Sequence, residues 1–499
     1  MTARPVTAVV VTLLGVASAP PAYAYDAATT HAGLTARAAL ASSLHRVLAT
    51  QLGVPRGLFE PLRIAPEFLP GVDARAVRRH LQALDPGQGY RPDVGLVAPA
   101  LSWLEAGSVI EQMPAERGRH HFLEPRSGRG LDNRVPGLSL RARVLSALEQ
   151  GGTFGGIFVG TNFDLSGHSS LAWLEDADND YSLARFLDAR ERAAVAELPA
   201  ERATSLAYAL LCAGAILHLL EDAGEPAHVR NDYRVAFGAR VGTEAVDRGS
   251  RLEHHTARTY GFAAIPEPGP PVRRARLRDY FVAPDGQGLA QRTQRRFFSP
   301  GTLPRPVQAI GLRPAAIVKA VNATLPFAEP RIKALDLGAA SRGGAYLGTT
   351  AVPQLVAYRV DSRGLLSFWL DDRTDLAYAR TLLPEVGSYA AGLLDHLFRG
   401  RLGFAPAAAA EARHGGRLTA VLSNRGPALA AGQLTVLAED SRGRRRVIDA
   451  RQAPAAPAGA RMARIDAPRG AVRLVAVFRG LDAAGDPVTV VEEAPLPLR

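Results

Sequence analysis

Apolar positions recur at helical spacing along most of residues 25–400 and at strand spacing beyond about Phe404. The stretch THAGLTARAALASSLHRVL is amphipathic and built from helix formers. DYSLARFLDARERAAVAEL and ERATSLAYALLCAGAILHLLEDAG are the clearest helices, the second stopping at Gly224 with Pro226 just beyond. DLAYARTLLPEVGSYAAGLLDHLFRG predicts another, with a break or a new first turn at Pro384. QLVAYRVDSRGLLSFWLDD alternates around a Ser-Arg-Gly turn and predicts a hairpin. IPEPGPPVRRARLRDY predicts an exposed loop. After the linker-like AAAAEARHGG, six short alternating runs from RLTAVLSNRG to PVTVVEEA predict an antiparallel sandwich.

The first two dozen residues predict a targeting segment. Arg4 precedes the apolar run VTAVVVTLLGVASA, and Ala22-Tyr23-Ala24 fits the small-x-small cleavage rule. Cleavage there makes Tyr25 the first residue of an exported chain, periplasmic or secreted. No later run reads as approaching the ~20 apolar residues that span a bilayer, so no transmembrane segment is expected after cleavage. The expected organisation is a signal peptide at 1–24, a mainly α, multi-helix body at 25–403 and a C-terminal all-β, Ig-like sandwich at 404–499.

Composition adds little to this. The chain has 499 residues, 47% hydrophobic and 21% charged, which excludes a wholly disordered or collagen-like protein. Its net charge of +11 and pI of about 10.2 fit an anionic partner, nucleic acid or a phospholipid surface. They equally fit a general enrichment in arginine, since the arginines are scattered and the only lysines are Lys319 and Lys333. The single cysteine, Cys212, excludes an internal disulfide and lies in an apolar run, as a buried small hydrophobe would.

The chemistry concentrates in GAILHLLEDAGEPAHVRND. His218 and Asp222 stand four apart on a strong helix and share a face, with His228 just past its end. Imidazole and carboxylate at this spacing suit a transition metal such as zinc. The pair alone suits a salt-bridged helix face with a capping histidine just as well. Other segments add candidates: His31 near Tyr25, His120 and His121 in RGRHHFLEP, and Glu253, His254 and His255 in SRLEHHTARTY.

In their order, these segments resemble the zinc-dependent phospholipase C proteins and the single-strand-specific zinc nucleases that share their fold. His218, Asp222, Pro226 and His228 match the family's His-x-x-x-Asp-x-x-x-x-x-His without a gap. His31 matches the histidine of the first helix, Tyr25 the metal-binding amino terminus, His121 the histidine before an aromatic and an acidic-Pro step, and Glu253 the end of a His-x-x-x-Glu. The resemblance spans roughly Tyr25 to Tyr260. Two positions depart from it: Gln112 stands where the family has Asp, beside Glu111, and Gly249 where it has His, with Asp232, His254 and His255 as neighbours able to substitute.

The resemblance implies a phospholipase C/nuclease-like helical fold holding two or three zinc ions. One would use His121, His218 and Asp222, with Glu111 nearby; a second Tyr25, His31 and a bridging Asp222; a third His228 and Glu253. It implies hydrolysis of a phosphodiester by metal-activated water, with Asp222 and Glu111 in catalytic roles and Glu111 as proton acceptor. The implied substrate is a phospholipid, met through peripheral membrane contact, or, as the alternative, single-stranded nucleic acid. A non-catalytic binding protein with a degenerate metal site is the remaining reading, supported by Gln112 and Gly249.

Overall fold

The structure is a computed structural model that describes residues 27–64, 74–84, 96–113, 115–131, 166–232, 239–241, 244–246, 250–260, 265–407 and 418–496. The expected signal peptide, Tyr25 and Gly249 lie outside them. Helices relevant to the site are α1 (Ala32–Ala41), α2 (Leu44–Gln51), α3 (Ala100–Ile110), α4 (Leu183–Val195), α5 (Pro199–Asp222), the short α6 (Pro226–Val229) and α7 (Arg251–Thr259). Later helices include α8 (Pro314–Ala323) and α9 (Asp372–Leu397).

The expectation of a mainly α protein is corrected: the described residues are 42% helix and 22% strand. Five separate sheets occur among the described residues. Two are strand pairs, β1 (Pro61–Ile64) with β2 (Leu96–Pro99) and β3 (Ala239–Val241) with β4 (Glu244–Val246). A four-stranded sheet lies within the region expected to be helical. It is built from β5 (Val307–Gln308), β6 (Ala345–Leu347), β7 (Val356–Val360) and β8 (Leu365–Trp369) in the order β5-β8-β7-β6. Strands of two or three residues carry too few alternations to show a period of two, which hid β5 and β6 from a pattern reading. The β7–β8 hairpin is long enough to be visible that way.

The remaining sheets share a core near the C-terminus. One orders β13 (Arg461–Asp466), β10 (Thr419–Asn424) and β9 (Leu402–Pro406); the expected boundary at 403/404 falls inside β9. The other orders β12 (Arg445–Ala453), β11 (Leu429–Glu439), β14 (Arg473–Asp482) and β15 (Pro487–Pro495). Leu434, Leu474, Ala476 and Phe478 face the core shared by the two sheets. The alternate residues Leu437, Val475 and Val477 pack instead against Ala194 of α4. Burial on both faces explains why β14 reads as a continuous apolar run.

Two helices differ from expectation. The long C-terminal helix α9 runs unbroken through Pro384, its turns on either side buried. Helix α5 begins with Pro199 at its first turn and has apolar residues all round, as a central core helix requires. By length and composition it could cross a membrane, contrary to the expectation that no later run could; 78% of its most apolar window is buried inside the protein. Its C-terminal half crosses α3 at unusually short range. A Cβ on Gly107 would fall on the Leu211 carbonyl, and one on Gly214 on the Leu104 carbonyl. Glycine at both positions is what lets these backbones meet, and it brings the Ser108 carbonyl to His218.

Candidate metal centre

Asp222 ends α5 and is completely buried. Its two carboxylate oxygens face different histidines. Oδ2 lies 2.8 Å from His121 Nδ1 and 3.2 Å from His218 Nε2. Oδ1 lies 3.4 Å from His31 Nε2 and 3.6 Å from His228 Nδ1. His228 Nδ1 is in turn 3.7 Å from Glu253 Oε1. Thus His31, His121, His218, Asp222, His228 and Glu253, spread over more than two hundred residues, converge on one buried cluster.

Local chain chemistry sets each position. His31 closes the wide helical turn Ala27–His31 that leads into α1. His121 follows the helical turn at Ala115–His120. His228 is carried by α6, whose start is capped by the Glu225 carboxylate accepting from Ala227 N–H. Glu253 belongs to a capping box at the start of α7: its carboxylate accepts from Ser250 N–H while Ser250 Oγ accepts from Glu253 N–H at 3.2 Å. Ser250 Oγ also donates to Glu225, so one buried carboxylate clips together the two elements that bear His228 and Glu253.

The protonation pattern decides what the cluster can hold. His218 Nδ1 donates to the Ser108 carbonyl at 2.6 Å, leaving Nε2 with a lone pair aimed at Asp222. Burial and the neighbouring His31 push His218 down to about 3, so it is neutral at pH 7. His31 Nδ1 is 2.6 Å from Glu221 Oε2, and Thr35 Oγ1 donates to Glu221 Oε1 at 2.9 Å. This carboxylate–imidazole arrangement is the one that orients a histidine toward a metal.

A lone pair facing a carboxylate is repulsive unless a cation lies between them. Neither Asp222 oxygen, nor His121 Nε2, nor His228 Nδ1 has a hydrogen bond of good geometry, although all are buried. Bonds of about 2.0–2.2 Å in a four-coordinate zinc site put ligand atoms roughly 3.3–3.6 Å apart. The observed separations include 3.3 Å between His218 Nε2 and His121 Nδ1. Two groups here could hold a metal ion: His31, His218 and Asp222, and Asp222, His228 and Glu253.

Electrostatics within the cluster are strong. Burial disfavours the charged form of His31, but Asp222 and Glu221 outweigh it and hold His31 up to about 9. Against the same burial, Asp222 and Glu111 hold His121 up to about 9. Burial alone would raise Asp222, yet the facing His228 and His218 keep it well below the usual carboxylate range. Burial lowers His228 to about 4.

Glu111 is placed differently from a free proton acceptor. Its Oε2 accepts from Arg117 at 2.7 Å and its Oε1 from Trp173 Nε1 at 2.9 Å, with His121 Nε2 3.7 Å away. Against burial, the Arg117 and His121 charges hold Glu111 down at about 2. These bonds hold the Glu111 carboxylate ionised beside His121, on which it acts through its charge. Gln112 is buried with neither end of its amide bonded.

Two of the three neighbours considered as substitutes, Asp232 and His255, go elsewhere. Asp232 accepts from Gly301 N–H at 2.6 Å. His255 groups with Asp372 and Asp375, where the Arg251 guanidinium, 2.6 and 2.7 Å from the two carboxylates, already supplies a cation. Sequence reasoning missed Glu221, Ser108 and Glu225. Glu221 carried a signal, since it precedes Asp222 on the same helix. Ser108 acts through its carbonyl, which no residue type advertises. Cys212 is buried, which raises its thiol pKa and leaves it unreactive. Comparison with protein-family models, curated proteins and solved structures finds no match for this chain.

Proposed function

We propose that this protein is an exported zinc-dependent phosphodiester hydrolase, phospholipase C-like in its chemistry. The observation that carries the reading is Asp222, whose two buried oxygens each face an imidazole nitrogen whose tautomer is set by a partner on the ring's other side. Zinc has the matching preference for nitrogen and carboxylate ligands in close tetrahedral array. His121, His218 and Asp222 would hold one ion, His31 and Asp222 a second, and Asp222, His228 and Glu253 contribute to a third position. Tyr25 remains part of the proposal through its amino group.

Zinc held there supplies a Lewis acid for phosphoryl oxygens and lowers the pKa of water toward neutrality. The chain's own groups set the conditions. Glu221 and the Ser108 carbonyl hold the Nδ1 protons of His31 and His218 and so keep each Nε2 available. Asp222 stays ionised and links the positions. Glu111, taken up by Arg117 and Trp173, acts on His121 through its charge rather than accepting a proton, a change from the role the resemblance implied.

Purified mature protein should contain two or more zinc ions and hydrolyse bis(p-nitrophenyl) phosphate in a chelator-sensitive way. A metal-free, inactive protein overturns the reading and favours the non-catalytic alternative. Phosphatidylcholine and single-stranded DNA offered side by side separate the lipase from the nuclease.

A further inference from the structure

The sheet β5-β8-β7-β6 ends in a tip that the metal chemistry does not use. Ile310, Leu312 and Leu365 are 65%, 45% and 37% exposed, three of the nine exposed large hydrophobic side chains among the described residues. Ile310 and Leu365 adjoin, and Leu312 follows Ile310 in a turn closed by its N–H bond to the Ala309 carbonyl at 3.3 Å. Ala309 N–H donates to the Gly364 carbonyl at 2.8 Å, Gln308 pairs with Leu365, and the Gln308 amide donates to the Arg363 carbonyl at 3.0 Å. Ile310 lies over Gly364, where φ is +75° and a Cβ would collide with it. Asp361 ties the turn down by accepting from Arg363 and Leu365 N–H at 2.9 and 2.8 Å. The apolar residues are therefore presented on a built turn, with the next residue, Leu366, fully buried beneath.

Cations flank them along the chain. Arg305, Arg313, Lys319 and Arg363 are exposed, and none forms an ion pair with a described residue. The one carboxylate of the turn, Asp361, is occupied by backbone. Residues 305–370 hold eight Lys and Arg against three Asp and Glu, including both lysines of the chain. The charge excess that reads as dispersed along the sequence is locally dense here.

We propose that this tip docks the protein on an anionic phospholipid surface. Apolar side chains enter the headgroup–acyl boundary while the flanking cations meet lipid phosphates. Three side chains fall well short of the roughly 1,200 Å² that a stable protein interface buries, which disfavours a second copy as occupant. A bilayer needs no complementary shape, only apolar depth and negative charge. The proposal rests on the hydrolase reading in so far as it names a lipid surface as the source of substrate.

The test is sedimentation of the full mature chain with phosphatidylcholine vesicles, with and without phosphatidylserine, alongside turnover of bis(p-nitrophenyl) phosphate. The protein should sediment with the phosphatidylserine vesicles, less at raised salt and equally in chelator. The double variant Ile310→Asp/Leu312→Asp should bind about tenfold or more weakly, and Arg305→Gln/Arg313→Gln should weaken binding less. Both should keep the wild-type melting temperature and diester turnover. Equal sedimentation of wild type and double variant overturns the proposal, as does wild type that binds single-stranded DNA through these residues and not vesicles. Tip-dependent vesicle binding without diester turnover leaves the docking site standing and removes the hydrolase.

Discussion

The cluster around Asp222 and the core between the C-terminal sheets are both fully buried, but they are held by opposite means. Leu422, Leu434, Phe478 and Val490 need nothing but each other; their burial is favourable in itself. His31, His121, His218, Asp222, His228 and Glu253 gain nothing from being buried. Their stability depends on protons or a cation shared among them, because an ionised group out of water is costly unless paired. One region is therefore self-sufficient and the other conditional on what it binds.

The sharpest way to break this contrast is Asp222→Asn, which removes the charge facing all the imidazoles while keeping volume. Metal should be lost on dialysis and diester turnover should fall about a thousandfold or more. Elemental analysis that finds full zinc in this variant sinks the assignment. In the other region, Leu434→Ala should cost about 2–5 kcal/mol in urea unfolding, with zinc content unchanged in the folded fraction. A loss of metal affinity there means that the two regions are coupled and the contrast is false.

Smaller effects sharpen the picture inside the site. Glu221→Gln keeps an acceptor for His31 but removes its charge, and should weaken metal binding about 10–100-fold by competition titration. The pH dependence follows from His31 and His121, both held up to about 9. Without metal they are charged at pH 7, so binding must release their protons. Affinity should then rise about tenfold per pH unit for each proton displaced, from neutrality up to about pH 9. The same raised values stabilise the metal-free fold below about pH 6.5, with that contribution lost as pH rises through 9. Melting temperature should fall across this window for metal-free protein and stay level for the zinc form; parallel curves would count against an ion displacing these protons.

Much of the candidate site was legible because its centre is local. His218, Asp222 and His228 lie within eleven residues, on one helix and the short turn after it, where helical periodicity alone puts side chains together. His31, His121 and Glu253 were legible only through their order along the chain. Their meeting depends on how α1 and α3 pack on α5, and α7 on α9 and the Ala27–His31 turn. The helical body was overestimated for the converse reason: long helices announce themselves by period, while β5 and β6 are too short to do so.

By itself the sequence determined the strong helices, the β-rich C-terminal stretch, and which side chains were available for metal chemistry. Tertiary structure decided how those side chains are used. Glycines at 107 and 214 allow the close crossing that brings the Ser108 carbonyl to His218, and Glu221 reaches His31 across 190 residues. The same level of organisation ties up Glu111 with Arg117 and Trp173, and gathers Ile310, Leu312 and Leu365 into one exposed tip. The physical reason is that a propensity or a period belongs to neighbouring residues. The tautomer of a buried imidazole and the charge of a buried carboxylate are set by groups that only the folded chain brings within hydrogen-bonding distance.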